Sequence, residues 1–143
     1  MKKGILNSPK LRWNSKIFQN GPVVEENGNL KGVEAVIDKD LASAVLAADL
    51  GVELFIILTD VPCAYLDFKK PGQRPLRRIT LKQAEQYLRE GHFGAGSMGP
   101  KMQAAINYLR KVNGLAIITS PEKIGEALQQ RDGTIISRGF TAK

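Results

Sequence analysis

Three short groups of polar residues in this sequence carry side chains that could do chemistry. Asp38-Lys39-Asp40 opens an apolar helical pattern, Thr59-Asp60 follows a continuous apolar run, and the glycine-rich stretch 94–101 ends in Lys101. In open parallel sheets, ligands bind outside the carboxyl ends of the strands. The groups that follow strands or begin helices are therefore the candidate site.

The glycine-rich stretch is typical of a segment that approaches phosphate closely, because glycines expose backbone N–H groups and the next helix begins with unpaired donors. Lys101 falls in the first turn of that helix, where a cation opposes the helix dipole. This favours a phosphate-neutralising role, and an exposed lysine after a flexible loop is the alternative. The stretch is not a P-loop, since Pro100 interrupts the spacing and Met102 stands where Ser or Thr must bind the metal.

The other two groups each have a structural alternative. Asp38 fits a helix N-cap, an explanation that accounts poorly for Lys39 beside it. Thr59-Asp60 fits a turn closed by a side-chain hydrogen bond as well as a ligand role at the sheet edge. Cys63 and the single histidine, His92, lie in no catalytic pattern, and a structural role is the favoured interpretation of His92.

Strands and helices alternate along the chain. The pattern predicts a hairpin with a strand at Val23-Val24, a polar turn over Glu25–Asn29 and a second strand at Val33–Ile37. Further strands are predicted at 54–58, 115–119 and 134–137. The run Leu54–Leu58 is apolar throughout, which predicts a strand buried on both faces.

Four helices are predicted between these strands. Asp38 and Gly51 bound the first, and the capping box from Thr80 to Gln83 opens the second, over residues 81–90. The third begins near Pro100 and the fourth runs from Ser120 to about Gln130. Pro71-Gly72 and Pro75 mark a solvated excursion between the first two helices. The alternation predicts an α/β fold with a mostly parallel sheet.

Composition narrows the class of protein. A length of 143 residues suits one domain with its own core, and no apolar run is long enough to predict a membrane span. Residues 1–20 carry +5 of the net charge of +7, so the rest of the chain is nearly balanced, which argues against nucleic acid as a partner. One cysteine and one histidine exclude a disulfide framework and a zinc site, and a cytoplasmic location is the simplest prediction.

The polar groups occur together with flanking residues in a specific order. The run Gly32–Ser43 resembles the signature of carbamate kinase, a member of the amino acid kinase family. The similarity continues, in the order of that family, through Ile57–Val61, Tyr65, Gly91–Phe93, Gly96–Lys101 and Gly133-Thr134. It covers about residues 21–138.

The resemblance implies a three-layer α/β/α sandwich and reversible phosphoryl transfer from ATP to carbamate, giving ADP and carbamoyl phosphate in arginine catabolism. It implies ATP or ADP with Mg²⁺ as cofactors and no metal-ligating side chain.

The site that the resemblance implies has three catalytic positions and two walls of the nucleotide site. The catalytic positions are Lys39 for nucleotide phosphates, Asp40 for orienting the lysines and Lys101 for the transferred phosphoryl group. The walls are Thr59, Asp60, Val61 and Tyr65 around base and ribose, and Ser97, Met98 and Pro100 beside the phosphates.

The chain is also shorter than members of that family. The resemblance therefore implies a fold truncated at the amino-terminal lobe, with residues 1–20 as a basic, poorly ordered segment and 21–143 as the nucleotide-binding lobe. Expected partners are nucleotide, carbamoyl phosphate and either a homo-oligomer or a complementing amino-terminal lobe, with no membrane. The alternative is a non-catalytic remnant or interaction domain of the same fold.

Overall fold

The computed structural model describes residues 11–12, 23–32 and 38–140. The chain divides into two compact units, Met1–Ile37 and Asp38–Lys143. The predicted boundary between residues 20 and 21 stays a prediction. All of the candidate site residues lie in the second unit.

The described part of the first unit is a small antiparallel sheet with strand order β1-β2-β3: β1 Leu11–Arg12, β2 Val23–Glu26 and β3 Asn29–Gly32. Asn27 and Gly28 have φ of 53° and 79°, as the hairpin prediction requires. The hairpin is tighter than predicted, since Glu25, Glu26 and Asn29 pair in strands instead of forming the turn. The predicted strand at 33–37 lies outside the described residues.

The second unit is built on a four-stranded sheet whose order is β4-β8-β9-β7. Its strands are β4 Leu54–Leu58, β7 Arg78–Thr80, β8 Leu115–Thr119 and β9 Thr134–Ser137. β4 with β8 and β7 with β9 are parallel, and β8 with β9 is antiparallel. The sheet is thus mainly parallel, as predicted. Between β4 and β7, the excursion forms a short antiparallel pair, β5 Tyr65–Leu66 and β6 Arg74–Pro75, which the sequence did not predict.

The first two helices of the second unit follow their predicted signals, and the other two differ at their ends. α1 is Lys39–Leu50, with Asp38 as N-cap and Gly51 at φ 64° as C-cap, and α2 is Leu81–Arg89, with the capping box of Thr80 and Gln83 in place. α3 is Met98–Lys111, so it begins two residues before Pro100. A 3₁₀ turn, Pro121–Lys123, leads into α4, Ile124–Leu128, which ends earlier than predicted. In the described part of the chain, no helix has the length and apolar character that crossing a bilayer requires.

These helices lie on both faces of the sheet. Phe55, Ile57 and Ile118 share one buried cluster with Met102 and Leu109 of α3, to which α1 and α2 also contribute. The opposite face contributes Ile117 and Ile135, which pack against Ala127 of α4. The second unit is therefore a three-layer α/β/α arrangement.

The prediction that β4 is buried on both faces is wrong. Phe55 and Ile57 are buried, whereas Leu54 and Leu58 are 39% and 44% exposed. Alternate residues of a strand point to opposite faces, so Leu54 and Leu58 lie on the face of the sheet against which α4 packs. α4 has five residues and packs on β8, which leaves the outer face of β4 partly uncovered by described residues.

Candidate functional site

A cleft of about 380 Å³ opens where β4 ends, within the second unit. This volume is in the range of small-molecule sites, about 300–1,000 Å³. Three segments line the cleft: the start of α1, the end of β4, and the loop that enters α3. The lining residues are Asp38, Lys39, Asp40, Leu58, Thr59, Asp60, Gly96, Ser97, Pro100 and Lys101.

The start of α1 is fixed by its own sequence. Asp38 Oδ1 accepts hydrogen bonds from the backbone N–H groups of Asp40 at 2.8 Å and Leu41 at 3.2 Å. The Asp38 carboxylate therefore lies at the N-terminus of α1, which is the positive end of the helix dipole. The same turn places the next two side chains, Lys39 and Asp40, on the cleft wall.

Lys101 and Asp40 form the closest polar contact in the cleft. Lys101 Nζ donates to Asp40 Oδ2 at 2.7 Å, and each side chain is 13% exposed. The two residues are 61 positions apart and come from α3 and α1, which pack against each other. The contact explains how a lysine is held at a helix N-terminus, where the dipole alone would disfavour it. The ammonium is thus kept in place beside an open space.

The first turn of α3 keeps few free backbone donors. Ser97 is the N-cap, and its side chain makes no capping hydrogen bond within the described residues. The Gly99 N–H donates to the carbonyl of Gly94 at 2.9 Å, and Pro100 has no N–H. A Cβ at position 99 would come within 2.8 Å of that same oxygen, so close approach of the backbone requires glycine here. Unlike the start of α1, this helix start holds no carboxylate from its own cap, and the Met98 N–H is the first-turn donor that remains for an anion.

The third segment presents Thr59 and Asp60. Thr59 Oγ1 donates to Asp60 Oδ1 at 3.1 Å, and the Thr59 backbone N–H donates to the carbonyl of Thr119 at 2.9 Å. The side-chain hydrogen bond fits the turn interpretation of this pair. Thr59 and Asp60 also lie on the cleft wall, and their role as ligand-binding residues stays a prediction.

Comparison with known proteins decides the family. A sequence model described as the amino acid kinase family matches residues 15–120, which is more than half of the chain. This chain belongs to the amino acid kinase family.

Its relatives within that family include carbamate kinases. The chain is 50% identical over 115 residues to the carbamate kinase of Thermoplasma volcanium, covering 80% of this chain and 38% of that protein. The carbamate kinase of Thermococcus kodakarensis is 47% identical over 117 residues, covering 82% and 37%. These findings confirm the resemblance to carbamate kinase. The chain spans about two-fifths of the length of the curated relatives that it matches.

Solved structures give the same result for the fold. Carbamate kinase from Giardia lamblia bound to AMP-PNP superposes with a TM-score of 0.79 at 43% identity, covering 82% of this chain and 41% of that one. N-acetylglutamate synthase from Neisseria gonorrhoeae superposes with a TM-score of 0.58 at 18% identity, a similarity of fold alone. The predicted α/β sandwich of the amino acid kinase type is confirmed.

The amino acid kinase cleft contains most of the residues that the sequence singled out. Seven of the ten predicted site residues line it: Lys39, Asp40, Thr59, Asp60, Ser97, Pro100 and Lys101. Val61, Tyr65 and Met98 do not. Met98 packs against the main core, and Tyr65 lies in β5. A hydrogen bond with Cys63 raises the pKa of the Tyr65 phenol, and burial raises the pKa of the Cys63 thiol.

The structure adds Asp38, Leu58 and Gly96 to the cleft wall. Each carried a signal in the sequence, since Asp38 caps the helix, Leu58 ends a strand and Gly96 lies in the glycine-rich stretch. His92 is not a lining residue. Its Nε2 lies 3.1 Å from Glu90 Oε2 and its Nδ1 lies 3.4 Å from Asp67 Oδ1. His92 thus joins two carboxylates outside the cleft, in keeping with a structural role.

The charge of the cleft wall bears on what it can bind. Two lysines and three aspartates line it, a formal charge of −1. Asp38 is engaged by backbone donors, Asp40 by Lys101 and Asp60 by the Thr59 hydroxyl. A bare polyphosphate would meet both attraction and repulsion here. The wall suits an anion that arrives with its own counter-cation.

Proposed function

We propose that this chain carries the nucleotide-binding part of a carbamate kinase-like phosphotransferase. The reaction is reversible transfer of a phosphoryl group from ATP to carbamate, giving ADP and carbamoyl phosphate. The observation that carries the proposal is the Lys101–Asp40 contact of 2.7 Å in a cleft that Lys39 also lines. The identity of 45–50% with carbamate kinases supports it.

The roles of the charged residues follow from the needs of phosphoryl transfer. A carbamate oxygen bonds to the γ-phosphorus as the bond from that phosphorus to the departing ADP oxygen breaks, and negative charge spreads over the equatorial oxygens. Catalysis then rests on positioned cations. We assign Lys101 to the transferred phosphoryl group and Lys39 to the nucleotide phosphates. Asp40 is a positioning residue, because it holds the Lys101 ammonium in place.

Magnesium fits the donor set of this cleft. Among the described residues there is no cluster of three or more His, Cys, Asp or Glu side chains that could cage a metal ion. Mg²⁺ commonly binds through substrate phosphates and one or two carboxylates instead. Asp38 and Asp40 already have hydrogen-bond partners, so the substrate phosphates would supply the main ligands. When bound, Mg²⁺ would offset phosphate charge against a wall whose own formal charge is −1.

The remaining assignments concern the nucleoside and the phosphate flap. We assign Thr59, Asp60, Val61 and Tyr65 to the side that faces base and ribose. Ser97, Met98 and Pro100 belong to the flap beside the phosphates, where the start of α3 holds no carboxylate from its own cap. We further propose that turnover needs a complementing amino-terminal lobe for carbamoyl phosphate, since the chain spans 38% of its relative from Thermoplasma volcanium.

Calorimetric titration of the protein with ADP, in the presence and absence of Mg²⁺, tests the proposal. We expect binding with Mg²⁺ and much weaker binding in EDTA, because the cleft wall is net negative. A coupled assay for ATP formation from ADP and carbamoyl phosphate measures turnover separately. Absence of both heat and thermal stabilisation at millimolar ADP with Mg²⁺ would refute the nucleotide site.

A further inference from the structure

A buried threonine that does not line the cleft joins two segments that follow β4. Thr134 is the first residue of β9, and its side chain is fully buried. Its Oγ1 accepts a hydrogen bond from the backbone N–H of Ala64 at 2.8 Å and donates one to the carbonyl of Leu76 at 2.6 Å. These partners are 70 and 58 positions away in sequence. Among side chains that fit this site, only a threonine or serine hydroxyl can accept and donate in this way without a charge.

The contact of Thr134 with Ala64 fixes one end of the loop 59–64. The other end is fixed by the Thr59 backbone N–H, which donates to the carbonyl of Thr119 in β8 at 2.9 Å. Asp60 lies on the cleft wall between these two anchors. The loop that carries Asp60 is therefore held by β8 at its start and by β9 at its end.

The Thr134 hydroxyl adds directional hydrogen bonds at an end of the loop where Ala64 is also buried in the main core. The β5–β6 pair that follows the loop has only two residues in each strand. The Leu76 backbone N–H also donates to the carbonyl of Ala64 at 2.8 Å. Three hydrogen bonds therefore link Thr134, Ala64 and Leu76. Gly133, the residue before Thr134, has φ 78° and little space around it, because a Cβ there would lie 3.1 Å from the carbonyl oxygen of Ile118. The Thr134 hydroxyl is thus held in a rigid turn.

We propose that Thr134 is a positioning residue for the nucleoside side of the cleft. It acts through Ala64 on the loop that presents Thr59 and Asp60, and it touches no ligand itself. The proposal rests on the proposed nucleotide site. Loss of the hydroxyl frees the end of the loop and should weaken binding of the nucleoside, while the lysines that serve the phosphates stay in place.

Thr134→Val, Thr134→Ser and the matched control Thr119→Val test this assignment. Thr119 is also a fully buried sheet threonine, but its hydroxyl has no hydrogen-bond partner among the described residues. We expect Thr134→Val to weaken ADP binding about tenfold, a change of ~1.4 kcal/mol, with inorganic tripolyphosphate binding within about twofold of wild type. Thr134→Ser should restore ADP binding. Thr119→Val removes only the hydroxyl and keeps the backbone carbonyl that holds Thr59, so it should bind as wild type.

Two results would overturn the proposal: ADP binding by Thr134→Val equal to wild type, or equal losses for ADP and tripolyphosphate, which indicate a general loss of structure. Hydrogen exchange of the backbone amides of residues 60–64 gives a readout that needs no ligand. Faster exchange in Thr134→Val, restored by serine, supports the anchor even if wild-type protein binds no ADP and the proposed function fails. Unchanged exchange refutes the anchor.

Discussion

Replacing Lys101 by methionine is expected to weaken binding of ATP with Mg²⁺ by roughly ten- to a hundredfold, because Lys101 is assigned to the phosphoryl group that ADP lacks. A charge-assisted hydrogen bond contributes about 1.5–3 kcal/mol, and Lys101 is the lysine of the cleft held by a carboxylate at 2.7 Å. Methionine keeps most of the side-chain volume and removes the ammonium. Calorimetry with the same nucleotide solution for both proteins measures the change.

A second effect of this substitution has to be separated from the first. Lys101→Met leaves the Asp40 carboxylate, which is 13% exposed, without its partner, so the protein should also lose stability. The double variant Asp40→Asn with Lys101→Met removes both charges and should recover much of that stability without recovering nucleotide binding. Lys111→Met, in the exposed last turn of the same helix, is the matched control and should bind as wild type. Wild-type affinity in Lys101→Met would contradict the role of this lysine.

Replacing Gly114 by alanine is expected to destabilise the fold strongly. Gly114 lies between α3 and β8, where a Cβ would come within 2.5 Å of the carbonyl oxygen of Glu53 and closer still to the Tyr108 hydroxyl. Neither neighbour can easily move. The Glu53 carbonyl accepts from Leu115 at 2.9 Å, and Tyr108 is fully buried and donates to the carbonyl of Val52. The cost should be about 3 kcal/mol.

Urea denaturation measures this cost as a fall in the midpoint of roughly 1 M or more. Gly125→Ala is the matched control, because Gly125 lies in the exposed helix α4 and a Cβ there meets nothing within 4 Å. Alanine is the better helix former, so this variant should gain about 0.5–1 kcal/mol. Equal midpoints for the two variants would show that the approach of β4 to the start of β8 is looser than the structure indicates.

The parts of the fold that could be predicted from sequence are those with local causes. Asp38, Gly51 and the pair Thr80–Gln83 set helix ends by hydrogen bonds within a few residues, and Asn27-Gly28 sets a turn by its own backbone preference. The apolar runs that became β4 and β8 were also visible. In each case the signal and the structure that it forms lie in the same short segment.

The parts that could not be predicted depend on distant partners. Leu54 and Leu58 are exposed because the helix over their face is only five residues long, which no pattern within β4 can reveal. The short strands β5, β6 and β7 gain their partners from the fold, and only two or three residues form each one. The anchor at Thr134 joins residues 70 positions apart.

The candidate site also has parts that local sequence predicts and parts that depend on distant contacts. Groups at strand ends and helix starts pointed to Asp40, Thr59 and Lys101, and all three line the cleft. The pairing of Lys101 with Asp40 is a product of the packing of α1 on α3 and follows from neither segment alone. Val61, Tyr65 and Met98 rest on the family resemblance, and their roles stay predictions.

Lysine reactivity with and without nucleotide tests most directly whether two ammonium groups serve one polyphosphate. The protein is acetylated for short times in Mg²⁺, with and without saturating ATP, and the modification of each lysine is followed by mass spectrometry. ATP is expected to slow acetylation of Lys39 and Lys101 several-fold and to leave the exposed Lys70 and Lys111 unchanged. Equal rates at Lys39 and Lys101 with and without bound ATP would contradict a shared polyphosphate site.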